Sequence, residues 1–148
     1  MEKPVVLLAD DNEATCTLVT ALLRSDFTVE VAFDGAHAIE KLKSRTYAAV
    51  LLDLRMPVTD GYGVLDYLQE ERPEILSRVL IVTASLSAGE MERVRQYPVC
   101  GVVAKPFEVD ALFGAVRQCV GDEGPQFIRG PLLASGVILF LAEMLRRV

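Results

Sequence analysis

The chain has 148 residues, enough for one domain with a proper core and too few for two ordinary ones. Hydrophobic residues make up 51% and charged residues 24%, which excludes a disordered or collagen-like chain, and the net charge of −6 argues against a broad basic surface for nucleic acid. Nothing is long enough for a confident transmembrane helix, and the opening MEKPVVLLADDNE lacks a signal peptide's apolar core.

Residues 4–9 (PVVLLA) form a short apolar run, too brief for a helix and suited to a strand buried on both faces. Residues 13–24 follow with Ala14, Leu18, Ala21 and Leu22 at helical spacing. Residues 27–32 (FTVEVA) alternate like an edge strand, and Asp34 opens a helix carrying Ala38, Ile39 and Leu42. Residues 47–52 (YAAVLL) predict a third strand, and Val64, Leu65 and Leu68 a third helix stopped by Pro73. Residues 79–82 (VLIV) predict the fourth strand. Ser87 with Glu90 three residues on resembles a capping box ahead of Met91 and Val94. Residues 99–104 (VCGVVA) and the stripe Val109, Leu112, Phe113 and Val116 complete the series, and the linker GDEGP ends the domain near Val120. Five strands alternating with five helices imply βα units and a parallel sheet covered on both faces. Cys16, Cys100 and Cys119 sit inside apolar patterns without metal spacing, and are expected to be reduced core thiols in a cytosolic protein.

The strands end in polar residues: Asp10 and Asp11 after the first, Asp53 after the third, Thr83 at the fourth and Lys105 after the fifth. An open parallel sheet puts all these ends on one edge, where ligands bind at the point of strand-order reversal. Each residue alone has a bland reading, since a single Asp after a strand is ordinarily a turn former and Asp11 could cap the first helix. Three clustered carboxylates are different, because they repel unless a cation joins them. Oxygen ligands suit Mg²⁺, so the set predicts a site for a metal and a phosphoryl group, with one carboxylate left as nucleophile.

The stretches VVLLADDNEAT, VAFDGAHAIEKL, AAVLLDLRMPVTDGYGVL, LIVTAS and GVVAKPF, in this order, resemble the receiver domain of two-component response regulators. The resemblance covers about residues 3–120 and implies a flavodoxin-like α/β fold, with a five-stranded parallel sheet of order 2-1-3-4-5 and five helices. It implies that Asp53 accepts a phosphoryl group from a phosphohistidine on a sensor histidine kinase or phosphotransfer protein. Asp11 would ligate Mg²⁺ directly, Asp10 mainly through water, and the Arg55 carbonyl would be a further ligand. Lys105 would pair with the phosphoryl oxygens and Thr83 would hydrogen-bond one of them. Such a chain is a cytoplasmic signalling protein acting on a downstream protein target, and is no turnover enzyme, although it catalyses its own phosphorylation and slow dephosphorylation. Lys105-Pro106 matches a position where the family commonly has a cis peptide.

One position departs from the family pattern. Three residues before the lysine, where a switch aromatic is common, stands Val102. A β-branched valine has no ring to relocate, so helix four and its preceding loop are expected to carry the signal instead. His37 reads as a partly exposed helix residue. The Arg55 side chain could reach a phosphoryl group or a partner, or be a solvated loop charge.

Residues 1–121 are thus expected to form the receiver, and 122–148 a linker and an extra apolar C-terminal helix. The latter is expected to be too short for a DNA-binding or cyclic-nucleotide output domain. Ten large apolar side chains lie between Leu132 and Val148, and leaving them wet would forgo about 15–30 kcal/mol. A helix there would reach only about 25 Å, short of a bilayer's core. Self-association as a homodimer through residues 131–148, or docking on a partner, ranks first. Packing on the chain's own receiver ranks second and interfacial membrane attachment third. The competing function is a receiver-like interaction module that assembles through this tail without phosphorylation.

Overall fold

The computed structural model describes residues 2–84 and 86–121. The expected C-terminal helix and the homodimer surface at 131–148 lie outside the described residues. Five strands, β1 (Val5–Ala9), β2 (Thr28–Ala32), β3 (Ala49–Leu52), β4 (Val79–Thr83) and β5 (Gly101–Ala104), pair in parallel in the order β2-β1-β3-β4-β5. Five helices alternate with them: α1 (Glu13–Leu23), α2 (Gly35–Ser44), α3 (Gly61–Glu71), α4 (Ala88–Val94) and α5 (Val109–Val120). This is the flavodoxin-like arrangement that the run of apolar segments and the family resemblance predicted.

The two-residue period of a strand sorts the core into two layers. Leu7, Ala9, Val50, Leu52, Val79, Ile81 and Val102 point to the face covered by α2, α3 and α4. Val6, Leu8, Ala49, Leu51, Leu80, Val82 and Val103 point to the face covered by α1 and α5. Because both faces are dry, β1, β3 and β4 are apolar at nearly every position, whereas β2 lies at one edge and keeps the half-exposed Glu30.

Caps decide where the helices begin. Asn12, not Asp11, caps α1 by accepting the Thr15 N–H at 2.8 Å. Asp34 caps α2 through the His37 N–H and Asp60 caps α3 through the Gly63 N–H. His37 is exposed on α2, as its position suggested. A 3-10 turn at Pro73–Arg78 separates α3 from β4, which the sequence pattern did not indicate.

One expectation about the cysteines is corrected. Cys100 and Cys119 are joined in a disulfide, and only Cys16 is a free thiol. The main-chain N–H of Cys100 donates to the Val79 carbonyl just ahead of β5, and Cys119 lies in the last turn of α5. Packing α5 against β5 brings the two Cα atoms to 5.7 Å, a proximity that their separation of 19 positions conceals in the sequence. Cys16 remains a buried thiol; its S–H donates to the Asp10 carbonyl, and burial first, then the Asp10 charge, pushes it up to about 11.

Candidate functional site

β1 and β3 are neighbours, and the chains leaving them carry Asp10, Asp11 and Asp53 to the same edge of the sheet. Pairing continues one residue past each strand: the Asp10 N–H donates to the Ala32 carbonyl and the Asp53 N–H to the Ala9 carbonyl, both at 3.0 Å. The backbones of both aspartates are therefore fixed by the sheet and not by loops. With Asn12 capping α1, the Asp11 carboxylate is left for the cluster. One oxygen from each of Asp10, Asp11 and Asp53 lies within 4.8 Å of the others. Asp10 and Asp53 are buried, whereas Asp11 is exposed.

Lys105 reaches the same point from β5. Its main-chain N–H donates to the Thr83 carbonyl at 2.9 Å, which ties the strand ends together. Its ammonium donates to Asp10 Oδ2 at 2.7 Å and Asp53 Oδ2 at 3.1 Å. The Lys105-Pro106 peptide is cis. Burial pushes the Asp10 carboxyl above its ordinary value and the Asp53 charge adds to that, against hydrogen bonds from Lys105 and the Asn12 N–H. Burial works against the Lys105 charge, yet the hydrogen bonds and charges of Asp10 and Asp53 outweigh it and raise its pKa. The pocket thus carries more negative charge than one ammonium neutralises, and its donors are all oxygens. That chemistry fits a hard divalent cation such as Mg²⁺.

Thr83 ends β4 fully buried, its residue paired in register with Ala104. The Arg55 N–H donates to Asp53 Oδ1 at 3.2 Å, while its guanidinium runs outward to Glu90 Oε2 at 3.1 Å. Gly61 lets α3 start directly against this loop, since a Cβ there would lie 2.5 Å from the Asp53 carbonyl oxygen. The residues singled out from the sequence (Asp10, Asp11, Asp53, Thr83, Arg55 and Lys105) thus all lie along one sheet edge, and the three carboxylates and Lys105 meet directly.

The sequence pattern of the response regulator receiver domain matches residues 6–117. The chain belongs to this family. Among relatives of this receiver, the transcriptional regulatory protein TcrA of Mycobacterium tuberculosis is 30% identical over 132 residues, 89% of this chain and 51% of that protein. The transcriptional regulatory protein TctD of Salmonella typhimurium is 34% identical over 113 residues, 76% of this chain and 50% of that protein. The receiver therefore spans about half the length of these two relatives. Among solved structures, the receiver domain of a Pseudomonas aeruginosa sensor histidine kinase, with magnesium coordinated in its active-site cleft, superimposes with TM-score 0.73 at 28% identity. The match covers 81% of this chain and 99% of that one. A Francisella response regulator receiver domain gives TM-score 0.72 at 26% identity, covering 80% and 97%. As a receiver domain, the chain is a two-component signalling module, and receivers bind Mg²⁺ at an acidic pocket of this kind.

Three further residues belong to the receiver's functional edge; from the sequence Tyr62 and Arg93 had no assigned role and Glu90 only a capping one. Glu90, Tyr62 and Arg93 line an open cleft of about 550 Å³ that also touches Asp11, Arg55 and Asp60. The Tyr62 hydroxyl donates to Glu90 Oε1, and Arg93 stacks over the Tyr62 ring at 3.6 Å. Burial and the Glu90 carboxylate push the Tyr62 hydroxyl well above its ordinary pKa. The signal available was Ser87 followed by Glu90, which reads locally as helix capping and gives no hint of contacts to a distant loop.

Proposed function

We propose that this receiver takes a phosphoryl group on Asp53 from a phosphohistidine of a sensor histidine kinase or phosphotransfer protein. The observation that carries the reading is the double contact of Lys105 with Asp10 and Asp53, beside a third carboxylate within 4.8 Å. An Asp53 carboxylate oxygen attacks phosphorus, the bond from phosphorus to the imidazole nitrogen breaks, and the imidazole leaves with that electron pair. Lys105, already between the two carboxylates, pairs with the phosphoryl oxygens, and the Thr83 hydroxyl donates to one of them. Asp10, Asp11, Asp53 and the Arg55 carbonyl would hold Mg²⁺. When bound, that ion supplies positive charge to the transferring oxygens.

The chain in this reading catalyses its own phosphorylation and slow dephosphorylation but is not a turnover enzyme. It works in the cytoplasm, where kinases are charged with nucleotide, and phosphorylation changes its association with a downstream protein or with itself. Self-association through residues 131–148 is part of this proposal, and the net charge of −6 disfavours nucleic acid as a partner. Among the described residues, no helix is long and apolar enough to cross a membrane.

A second reading, an interaction module that needs no phosphate, draws on Val102. This residue is fully buried in β5 and offers no ring to swing. Incubation with acetyl phosphate and Mg²⁺ followed by intact mass separates the two. The wild-type chain is expected to gain one phosphoryl group, lost on chelation of Mg²⁺ and absent in Asp53→Asn. No gain in the wild type, or an equal gain in Asp53→Asn, contradicts the phosphoacceptor reading.

A further inference from the structure

Glu90 departs from the local pattern that the sequence sets for it. In a capping box the Ser side chain accepts the N–H of the third helical residue, and that residue's carboxylate turns back to the Ser N–H. Ser87 makes its half, accepting the Glu90 N–H at 3.2 Å. The Glu90 carboxylate instead leaves its own helix, accepting the Tyr62 hydroxyl and pairing with the Arg55 guanidinium at 3.1 Å. Its side chain is only 19% exposed, against 68% for Arg55. Arg55 therefore touches two things at once, Asp53 through its main chain and α4 through its side chain.

Helix α4 is poorly anchored otherwise. It has seven residues and buries two side chains, Met91 and Val94. The pair between Arg95 and Glu92 lies within the segment itself and holds it to nothing. To the two buried side chains Glu90 and Arg93 add contacts to the β3–α3 region.

We propose that Glu90 is a latch: its carboxylate holds Arg55 in the resting chain, and a phosphoryl group on Asp53 competes for that guanidinium and releases α4 from the loop 54–60. This rests on the phosphoacceptor reading. The physical basis is the charge added beside Arg55. A phosphoryl group brings about −1.5 to −2 charges and three strong acceptor oxygens, against the single charge of Glu90. Arg55 lies in the same cleft as Asp11, so the guanidinium turns toward the phosphoryl group without crossing the protein interior. Tyr62 keeps its bond to Glu90 and becomes the pivot about which the first turn of α4 moves. The device needs no aromatic at position 102.

Competition and binding are linked: weakening the resting pair strengthens binding of whatever draws Arg55 away. The test uses the full chain with Mg²⁺ and beryllofluoride as the phosphoryl mimic, followed by NMR of the Ala88–Val94 amides and the Arg55 Nε–H. In Glu90→Gln the beryllofluoride midpoint is expected to fall by about two- to fivefold, the scale of an exposed ion pair. The Ala88–Val94 amides of that variant, without beryllofluoride, should lie displaced toward the bound wild-type positions. Glu92→Gln removes the same charge from the same helix, leaves Arg55 paired, and should keep the wild-type midpoint. An unchanged midpoint in Glu90→Gln, or equal tightening in Glu92→Gln, overturns the latch alone. A wild-type chain that binds no beryllofluoride overturns the phosphoacceptor reading and the latch with it.

Discussion

Val58 carries the one left-handed backbone among the described non-glycine residues, with φ of 69°. A β-branched side chain in that region pushes its Cβ against the neighbouring carbonyl, at a cost of roughly 1–2 kcal/mol. Nothing offsets this locally, because the side chain is 81% exposed. The strain belongs to the loop between Asp53 and the Asp60 cap, which must turn sharply so that Gly61 can rest on the end of β3. Asparagine tolerates the left-handed region far better than valine. Val58→Asn is therefore expected to raise stability by about 1 kcal/mol in urea unfolding, and a loss of stability would show that the loop draws support from the valine itself.

At the scale of elements, the joint between β5 and α5 is where chain and pattern part company. A cross-link closing 19 residues restricts the unfolded chain by about 3 kcal/mol. A reducing agent is expected to lower the wild-type unfolding midpoint and to leave Cys100→Ser unmoved. Alkylation of all three cysteines in the unreduced, denatured chain would contradict the bond. The pairing was illegible in the sequence because Cys100 and Cys119 each fit an apolar pattern, and only the packing of α5 on β5 brings them together. β1 and β4, by contrast, were legible within a residue, since strands dry on both faces read as continuous apolar runs. β3 begins at Ala49 instead of Tyr47: Tyr47 lies outside the ladder, buried, with its hydroxyl donated to Glu30 at 2.6 Å. Asp10, Asp11, Asp53, Thr83 and Lys105 were legible because strand ends of a parallel sheet must converge. Glu90 was misread because its local signal, Ser87-x-x-Glu, is satisfied only on the serine side, and its real partners lie 28 and 35 residues away in Tyr62 and Arg55.

Over the whole molecule, the strand order β2-β1-β3-β4-β5 concentrates charge where chemistry needs it. It sets β1 beside β3, so that buried aspartates from both occupy one edge, and brings Lys105 in from β5 as their counter-charge. The two apolar layers hold that arrangement, while α4 adds only Met91 and Val94 to the core. A rigid acidic edge beside a loosely held helix is what a module needs if it is to accept charge at one place and alter its surface at another. The central claim is that the accepted charge sits on Asp53. Borohydride reduces an aspartyl phosphate to homoserine, so treating the acetyl phosphate-loaded chain with borohydride and mapping its peptides by mass locates the group. Homoserine at position 53 alone is the predicted result; homoserine at Asp10 or Asp11, or at no position in a chain that had gained phosphoryl mass, would contradict it.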